Sequence, residues 1–274
     1  MSNSYQVYLI SDSTGETLDR IFIALKAQFQ NFKYQTHHYS FTRTENQILR
    51  ILDICKKKRN CIILYTVVDH KLSKFLAEEC NKLKVPCFGV LGDLILSFSK
   101  ILKEEASYIP SGQHILNEEY YNRIEAIQFT MNHDDGNSIN DIQKSDIILL
   151  GVSRTSKTPT SIYLANKGYK VSNIPLVNEN SIPNILKANK EDNCIIGLTA
   201  EPERLVEIRK NRLNTLREKQ NINYINFEKI QKEVNQSKQT FQKYKWPTID
   251  VSRKSVEETA ASVIKIYEIK KNNV

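Results

Sequence analysis

The sequence predicts an α/β protein built on mostly parallel sheets. Short, near-continuous apolar runs recur, such as Cys61-Ile62-Ile63-Leu64-Tyr65-Thr66-Val67 and Cys194-Ile195-Ile196-Gly197-Leu198-Thr199. Strands covered on both faces are apolar throughout rather than alternating. Segments with apolar residues at 3–4 spacing lie between these runs, and strands alternating with helices build βαβ layers. Two of the strand–helix junctions, after Ile10 and after Leu150, are loops of small polar residues.

In chain order, Val7 to Ile10 is a short strand, and Leu18, Ile21, Phe22, Leu25 and Phe29 give the following helix its apolar stripe. His38 to Phe41 is expected as a strand, Thr44 to Lys57 as a helix, Cys61 to Val67 as a strand and Lys71 to Leu83 as a helix. Val85 to Val90 is a further strand, weakened by Pro86, which cannot donate to a ladder. Leu94 to Leu102 is helical, 106–117 is a loop, and Glu118 to Met131 is a helix ending in Asn132-His133-Asp134-Asp135-Gly136-Asn137-Ser138. That turn-rich stretch suggests a domain boundary near residues 137–145. In the second half, strands are expected at 147–150, 170–176, 194–199 and 246–251, with helices at 158–165, 201–217, 224–239 and 256–269. No internal repeat is visible.

The stretch Leu149-Leu150-Gly151-Val152-Ser153-Arg154-Thr155-Ser156-Lys157-Thr158-Pro159 organises the second half. Strand, loop, Lys-Thr and helix in that order is the layout of a P-loop. There, backbone N–H groups at a helix N-terminus cradle phosphate, the Lys reaches the terminal phosphates and the hydroxyl holds Mg²⁺. Gly151, Val152, Ser153, Arg154, Thr155, Ser156, Lys157 and Thr158 form the candidate nucleotide-binding loop. Lys157 would neutralise a transferring phosphoryl group, Thr158 would ligate the metal, and Arg154 would fork onto phosphate. Ser156 stands where G-x-x-x-x-G-K-[ST] has its second glycine. The expected organisation is an N-terminal α/β domain at 1–140 and a P-loop, kinase-like nucleotide-binding domain at 141–274.

Other groups admit two readings each. Ser11-Asp12-Ser13-Thr14-Gly15-Glu16-Thr17 is either a second anion cradle, with Asp12 as base or ligand, or a Ser13-x-x-Glu16 capping box. His133-Asp134-Asp135 either moves a proton or holds a metal, or it closes a helix and starts a turn. Arg204, Arg209, Arg212 and Arg253 either face a phosphate or lie on solvated surfaces beside Glu203 and Glu207. Asp250 is either the strand-end acid of a P-loop fold or a turn residue. Ser255-x-x-Glu258 is a further capping box.

Composition narrows the classes. The net charge of +8 favours polyanionic partners, although most of it lies in Lys runs such as Lys56-Lys57-Lys58-Arg59 that suit helix surfaces. No basic stripe interleaved with aromatics is present, which argues against a nucleic-acid binder. Five cysteines without C-x-x-C spacing argue against a disulfide framework or a zinc site. No apolar run reaches membrane-spanning length and no leader pattern is visible, so a cytoplasmic protein is expected.

Taken together, Val7 to Thr17, Arg123-Ile124-Glu125-Ala126, His133 to Gly136, Gly151 to Leu164, Trp246 to Val251 and Ser255 to Ala261 resemble the bacterial and plant regulatory proteins of pyruvate, phosphate dikinase and phosphoenolpyruvate synthase. The resemblance runs in the same order along nearly the whole chain. That family's own P-loop carries Ser or Gly before the Lys, so Ser156 is no departure. The resemblance implies a bifunctional enzyme. As a kinase it would use ADP to phosphorylate a Thr beside the target's catalytic His. As a phosphorylase it would use inorganic phosphate to remove that group as pyrophosphate. It implies Gly151 to Thr158 as the ADP element, a dikinase or synthase as protein substrate, and a homodimer. Asp134 or Asp135, with His133 near, would be the base; Asp12, Ser13 and Thr14, or Arg253, would supply the phosphate pocket. The competing reading is an ADP-sensing module or small-molecule phosphotransferase that modifies no protein.

Overall fold

The computed structural model describes residues 4–114, 116–177, 181–188, 193–216 and 224–272. Among them, eight strands form two separate parallel sheets, and the chain divides into two compact units at residue 115/116.

In the first unit, β1 (Tyr5–Ser11), β2 (Tyr34–Tyr39), β3 (Cys61–Thr66) and β4 (Cys87–Gly89) are ordered β2-β1-β3-β4. The helices α1 (Glu16–Lys26), α2 (Glu45–Lys56), α3 (His70–Lys82) and α4 (Gly92–Leu102) follow their strands in turn. One face of the sheet packs on α2 and α3 through Ile48, Leu52, Leu72, Leu76 and Cys80. The other packs on α1 through Leu18 and Phe22, over Val7, Leu9 and Leu64.

The second unit starts with α5 (Glu118–Asn132). Its strands are β5 (Ile147–Gly151), β6 (Val171–Pro175), β7 (Cys194–Thr199) and β8 (Thr248–Asp250), ordered β6-β5-β7-β8. Its other helices are α6 (Lys157–Ala165), α7 (Asn184–Ala188), α8 (Pro202–Leu216), α9 (Phe227–Lys243) and α10 (Val256–Asn272). Every residue of β5 and β7 is buried, as the apolar runs require. The two sheets share one strand order, a repetition of architecture that the sequences of the two halves do not display. In both, the first strand lies between the second and third. The loops after β1 and β5 therefore sit at the topological switch points where open α/β sheets bind ligands.

Several expectations are corrected. The division falls before α5, not at 137–145, because α5 buries Ala126 and Thr130 within the second unit, where the Thr130 hydroxyl accepts from the Val171 N–H at 3.0 Å. The polar stretch after α5 is thus an internal turn of that unit. The second strand is Tyr34–Tyr39 rather than 38–41, since Phe41 takes a left-handed φ of 54° that no strand continues through. The Ser13-x-x-Glu16 capping box does not form: Gly15, at φ 90°, is the N-cap of α1 and no side chain caps it. Helix α9 starts at Phe227 rather than Tyr224, because the Asn226 side chain caps it by accepting from Lys229 N. The expected last residue of the 201–217 helix, Arg217, lies outside the described residues. The capping box at Ser255 and Glu258 forms as expected, with both reciprocal bonds made. Among the described residues, no helix is long and apolar enough to cross a membrane.

Candidate active site

The apolar strand β5 runs out at Gly151, and the chain crosses to α6 over Val152 to Ser156. Gly151 is required by space: a Cβ there would lie 2.6 Å from the Leu198 carbonyl oxygen on β7 and 2.6 Å from Thr155 Oγ1. Arg154 (φ 73°) and Ser156 (φ 58°) both take the left-handed conformation. Alternating hands turn successive N–H groups into one concavity, which attracts anions. Ser156 is the N-cap of α6 and makes no side-chain cap, so the N–H groups of Lys157 and Thr158 stay available, Pro159 having none. Serine thus holds the shape usually given to glycine, at a cost of about 1 kcal/mol of backbone strain.

Lys157 is buried, only 6% exposed, and its Nζ donates to the Val152 carbonyl at 3.1 Å. Burial pulls its pKa down to about 8, against the pull of Asp135 and Asp134, while Arg154 and Arg209 lower it further. A cation that is costly to bury alone is suited to receive an anion. Thr155 is fully buried and braces the loop by donating to the same Val152 carbonyl at 2.9 Å.

The turn after α5 comes to the same place. Thr158 Oγ1 donates to Asp134 Oδ1 at 3.0 Å, and Asn173 Nδ2 donates to that same oxygen. The Asn173 side-chain carbonyl accepts from Asp135 N at 3.0 Å, and Asn173 N donates to the His133 carbonyl at 3.2 Å. Asn173, buried on β6, thereby fixes the whole turn, including Asp135 at φ 50°. The structure separates the three candidates. Asp134 is locked to Thr158 and Asn173. Asp135 has only its backbone tied and is the leading electrostatic neighbour of Lys157. His133 turns back onto α5: it is buried, stacks on Phe129 at 3.8 Å and donates through Nδ1 to the Phe129 carbonyl at 2.8 Å, since a carbonyl only accepts.

Sequence reasoning missed a second support. Arg209, on α8, is buried; it donates to Glu233 at 2.7 Å, to the Tyr224 carbonyl at 3.2 Å and to the Ser153 carbonyl at 3.3 Å. Its guanidinium lies 4.9 Å from the centre of the Tyr224 ring. The Tyr224 hydroxyl bonds Ser153 Oγ and accepts from Arg154 Nε, each at 3.2 Å. Burial pushes the Tyr224 phenol up, but those hydrogen bonds and the charges of Arg154 and Arg209 outweigh it, so the phenol ends below its ordinary value. Arg209 therefore braces the Val152–Ser156 loop from behind, through the Ser153 carbonyl and Tyr224. Arg204 pairs with Glu207 on the surface, and Arg253 is exposed in the turn after β8. Asp250 is a strand-end turn residue: its carboxylate accepts from the Ser252 N–H and hydroxyl at 2.8 and 2.6 Å.

The loop after β1 forms a separate small site in the first unit. Ser11, Asp12 and Ser13 are buried and help line a cavity of about 180 Å³. Asp12 accepts from the Val68 N–H at 2.7 Å; burial raises its pKa above the usual carboxylate range despite that bond and nearby Arg43. The Thr14 carbonyl accepts from the Ser40 hydroxyl at 2.6 Å.

The donor set fits a hard divalent cation. Thr158 and Asp134 present a hydroxyl and a carboxylate side by side, and Mg²⁺ takes one or two such groups plus substrate phosphates rather than a full protein cage. Among the described residues no group of three or more His, Cys, Asp or Glu side chains is placed to hold a metal by itself.

Comparison with known proteins adds the family. A protein of Pelagibacter ubique named as a pyruvate, phosphate dikinase regulatory protein is 69% identical over 273 residues, covering the whole of both chains. Similarly named proteins of Erythrobacter litoralis and Maricaulis maris are 42% and 41% identical over 95% and 98% of this chain, covering 93% and 95% of their own lengths. The model of the kinase/pyrophosphorylase family matches residues 7–264, and the chain belongs to that family.

Proposed function

We propose that this chain regulates a pyruvate, phosphate dikinase by two opposed phosphoryl transfers at the Gly151–Thr158 loop. The observation that carries the reading is the buried Lys157 at the foot of an uncapped helix, beside Asp134 and Asp135, in a chain of the kinase/pyrophosphorylase family.

In the inactivating direction a target Thr hydroxyl attacks the β-phosphorus of ADP. The bridging P–O bond breaks, AMP leaves, and Asp135 takes the hydroxyl proton. Phosphoryl transfer needs little covalent help, so positioning and charge neutralisation do most of the work. The concave N–H groups of residues 154–158, Arg154 and Lys157 supply both. In the reactivating direction an oxygen of inorganic phosphate attacks the phosphothreonine phosphorus. The P–Oγ bond breaks, pyrophosphate leaves, and Asp135 passes the proton given up by the attacking phosphate to the Thr oxygen. When bound, Mg²⁺ would offset phosphate charge; Thr158 and Asp134 are the residues to hold it. Asp134, immobilised by Thr158 and Asn173, is the positioning acid and Asp135 the base. His133 has a structural part, closing α5. The enzyme works in the cytoplasm as a homodimer.

The test is incubation with a purified dikinase and ADP labelled in its β-phosphate. Label on a target Thr, with AMP released in equal amount, is the expected result. Tight ADP binding with no labelled protein would replace the reading with that of an ADP-sensing module.

A further inference from the structure

Of the two readings that Ser11 to Thr17 admits, the capping box does not form. What the stretch builds instead is a polar cavity of about 180 Å³ against the carboxyl ends of β1 and β3. Ser11, Asp12, Ser13 and Thr66 line it, and none of the four is more than 8% exposed. Burying polar groups together is costly unless each finds a bonding partner.

The loop's backbone acceptors are spent on residues 40–43. The Ser11 and Ser13 carbonyls accept from the Thr42 and Phe41 N–H groups, each at 2.9 Å. The Asp12 carbonyl accepts from Arg43 Nε at 2.8 Å and the Thr14 carbonyl from the Ser40 hydroxyl at 2.6 Å. Its donors are not spent. Ser11 Oγ accepts from the Ser13 N–H and the Thr66 hydroxyl, each at 3.1 Å, and Ser13 Oγ accepts from the Ser111 hydroxyl at 3.0 Å. Each of these buried serines thus keeps a hydroxyl proton to give, and no acceptor takes it among the described residues. The N–H groups of Glu16 and Thr17, in the uncapped first turn of α1, add two more donors. Asp12 is the charged residue on the wall, and its described bond is to the Val68 N–H rather than to a cation. Burial and nearby Asp69 raise its pKa against the pull of Arg43, which favours a protonated carboxyl, a further donor.

We propose that this cavity binds a single phosphoryl oxyanion, either inorganic phosphate or the phosphate of a phosphothreonine. A ligand that only accepts answers a wall of donors, and the first turn of a helix favours its charge. The size agrees: pockets for organic ligands run to roughly 300–1,000 Å³, so a cavity of about 180 Å³ admits a phosphate and excludes a nucleotide. The site lies wholly in the first unit and does not rest on the transfers proposed for the Gly151–Thr158 loop.

The test counts phosphate bound per full-length chain, by equilibrium dialysis with radiolabelled inorganic phosphate. Thr17 lines the cavity from the first turn of α1. Thr17→Asp sets a carboxylate at the anion's seat, and an acid there suits the helix. It should weaken the first-unit site at least tenfold and lose one phosphate per chain, whereas Lys157→Met should keep that phosphate. Asp12→Asn, a neutral stand-in for the protonated carboxyl, should bind at least fivefold more tightly at pH 8, a gain that misfolding cannot produce. Phosphothreonine added to the Lys157→Met chain separates the two sources: displacement of the label assigns the site to a phosphate monoester, and no displacement assigns it to inorganic phosphate. A Thr17→Asp chain with the full wild-type count, a Lys157→Met chain that binds none, or weaker binding by Asp12→Asn would each overturn the proposal. A wild type that binds one phosphate, lost in Thr17→Asp and kept in Lys157→Met, would uphold this site and remove phosphate from the second unit's loop.

Discussion

Replacing Lys157 by Met should make the second unit more stable while removing its affinity for nucleotide. Burial takes the lysine from an ordinary pKa of 10.5 to about 8, even with Asp135 and Asp134 nearby. Each whole step in pKa is worth about 1.4 kcal/mol, so holding the charge in the folded unit costs about 3 kcal/mol. The substitution also removes the bond from Nζ to the Val152 carbonyl, worth about 1 kcal/mol. That carbonyl is not orphaned, because the Thr155 hydroxyl still donates to it. The net gain is about 2 kcal/mol, or about 1 M in the urea midpoint at an m-value of about 2 kcal/mol/M. Trp246 is the chain's only tryptophan and packs on the second unit's core, so its fluorescence follows that unit's unfolding. The pH dependence gives a second readout. Between pH 8 and 10.5 the unfolded chain holds the Lys157 proton and the folded chain does not, so wild-type stability rises with pH through that window. Below about pH 8 the cost is fully present. The Met variant's advantage should therefore be constant below pH 8 and shrink above it. A destabilised variant, or an advantage that ignores pH, would refute the account of Lys157 as a buried, destabilising cation.

Three further outcomes follow from the same geometry. If ADP binds through protonated Lys157 as proposed, its affinity measured by calorimetry should fall about tenfold per pH unit above pH 8, and this slope should vanish in Lys157→Arg. Gly151→Ala forces a Cβ to 2.6 Å from the Leu198 carbonyl and should cost about 3 kcal/mol, read as a lower urea midpoint of Trp246 fluorescence. Tyr224→Phe removes the hydroxyl shared by Ser153 and Arg154 and should raise the KM for ADP roughly fivefold, about 1 kcal/mol, with kcat and melting temperature little changed, whereas Arg209→Met should cost on the order of 2 kcal/mol of stability by removing its bonds to Glu233 and to the Ser153 and Tyr224 carbonyls.

The sheets and the strand–loop–helix layout of β5 and α6 were legible because each depends on local pattern. The apolar runs at 61–67, 147–150 and 194–199 match strands of the parallel sheets, with β5 and β7 buried at every residue, and Gly151 to Thr158 carries its layout in consecutive residues. What was hidden depends on contacts far apart in sequence. Asn173 looks like an ordinary polar residue, yet it fixes the Asp134–Asp135 turn from a neighbouring strand. Arg209 resembles a surface residue of a charged helix until Glu233 and Tyr224 close over it. The domain division was misplaced because Asn137 and Ser138 have turn chemistry, which does not distinguish a linker from a turn inside a site. The repetition of one strand order in both units is a property of topology alone.

The central claim is that one site performs both transfers with the same groups, and Asp135→Asn measured in both directions tests it most directly. ADP-dependent labelling of the dikinase and phosphate-dependent release of pyrophosphate should fall together, each at least a hundredfold, while calorimetry shows ADP still bound. Loss in one direction with the other intact would contradict a shared proton carrier and place the two reactions at different sites.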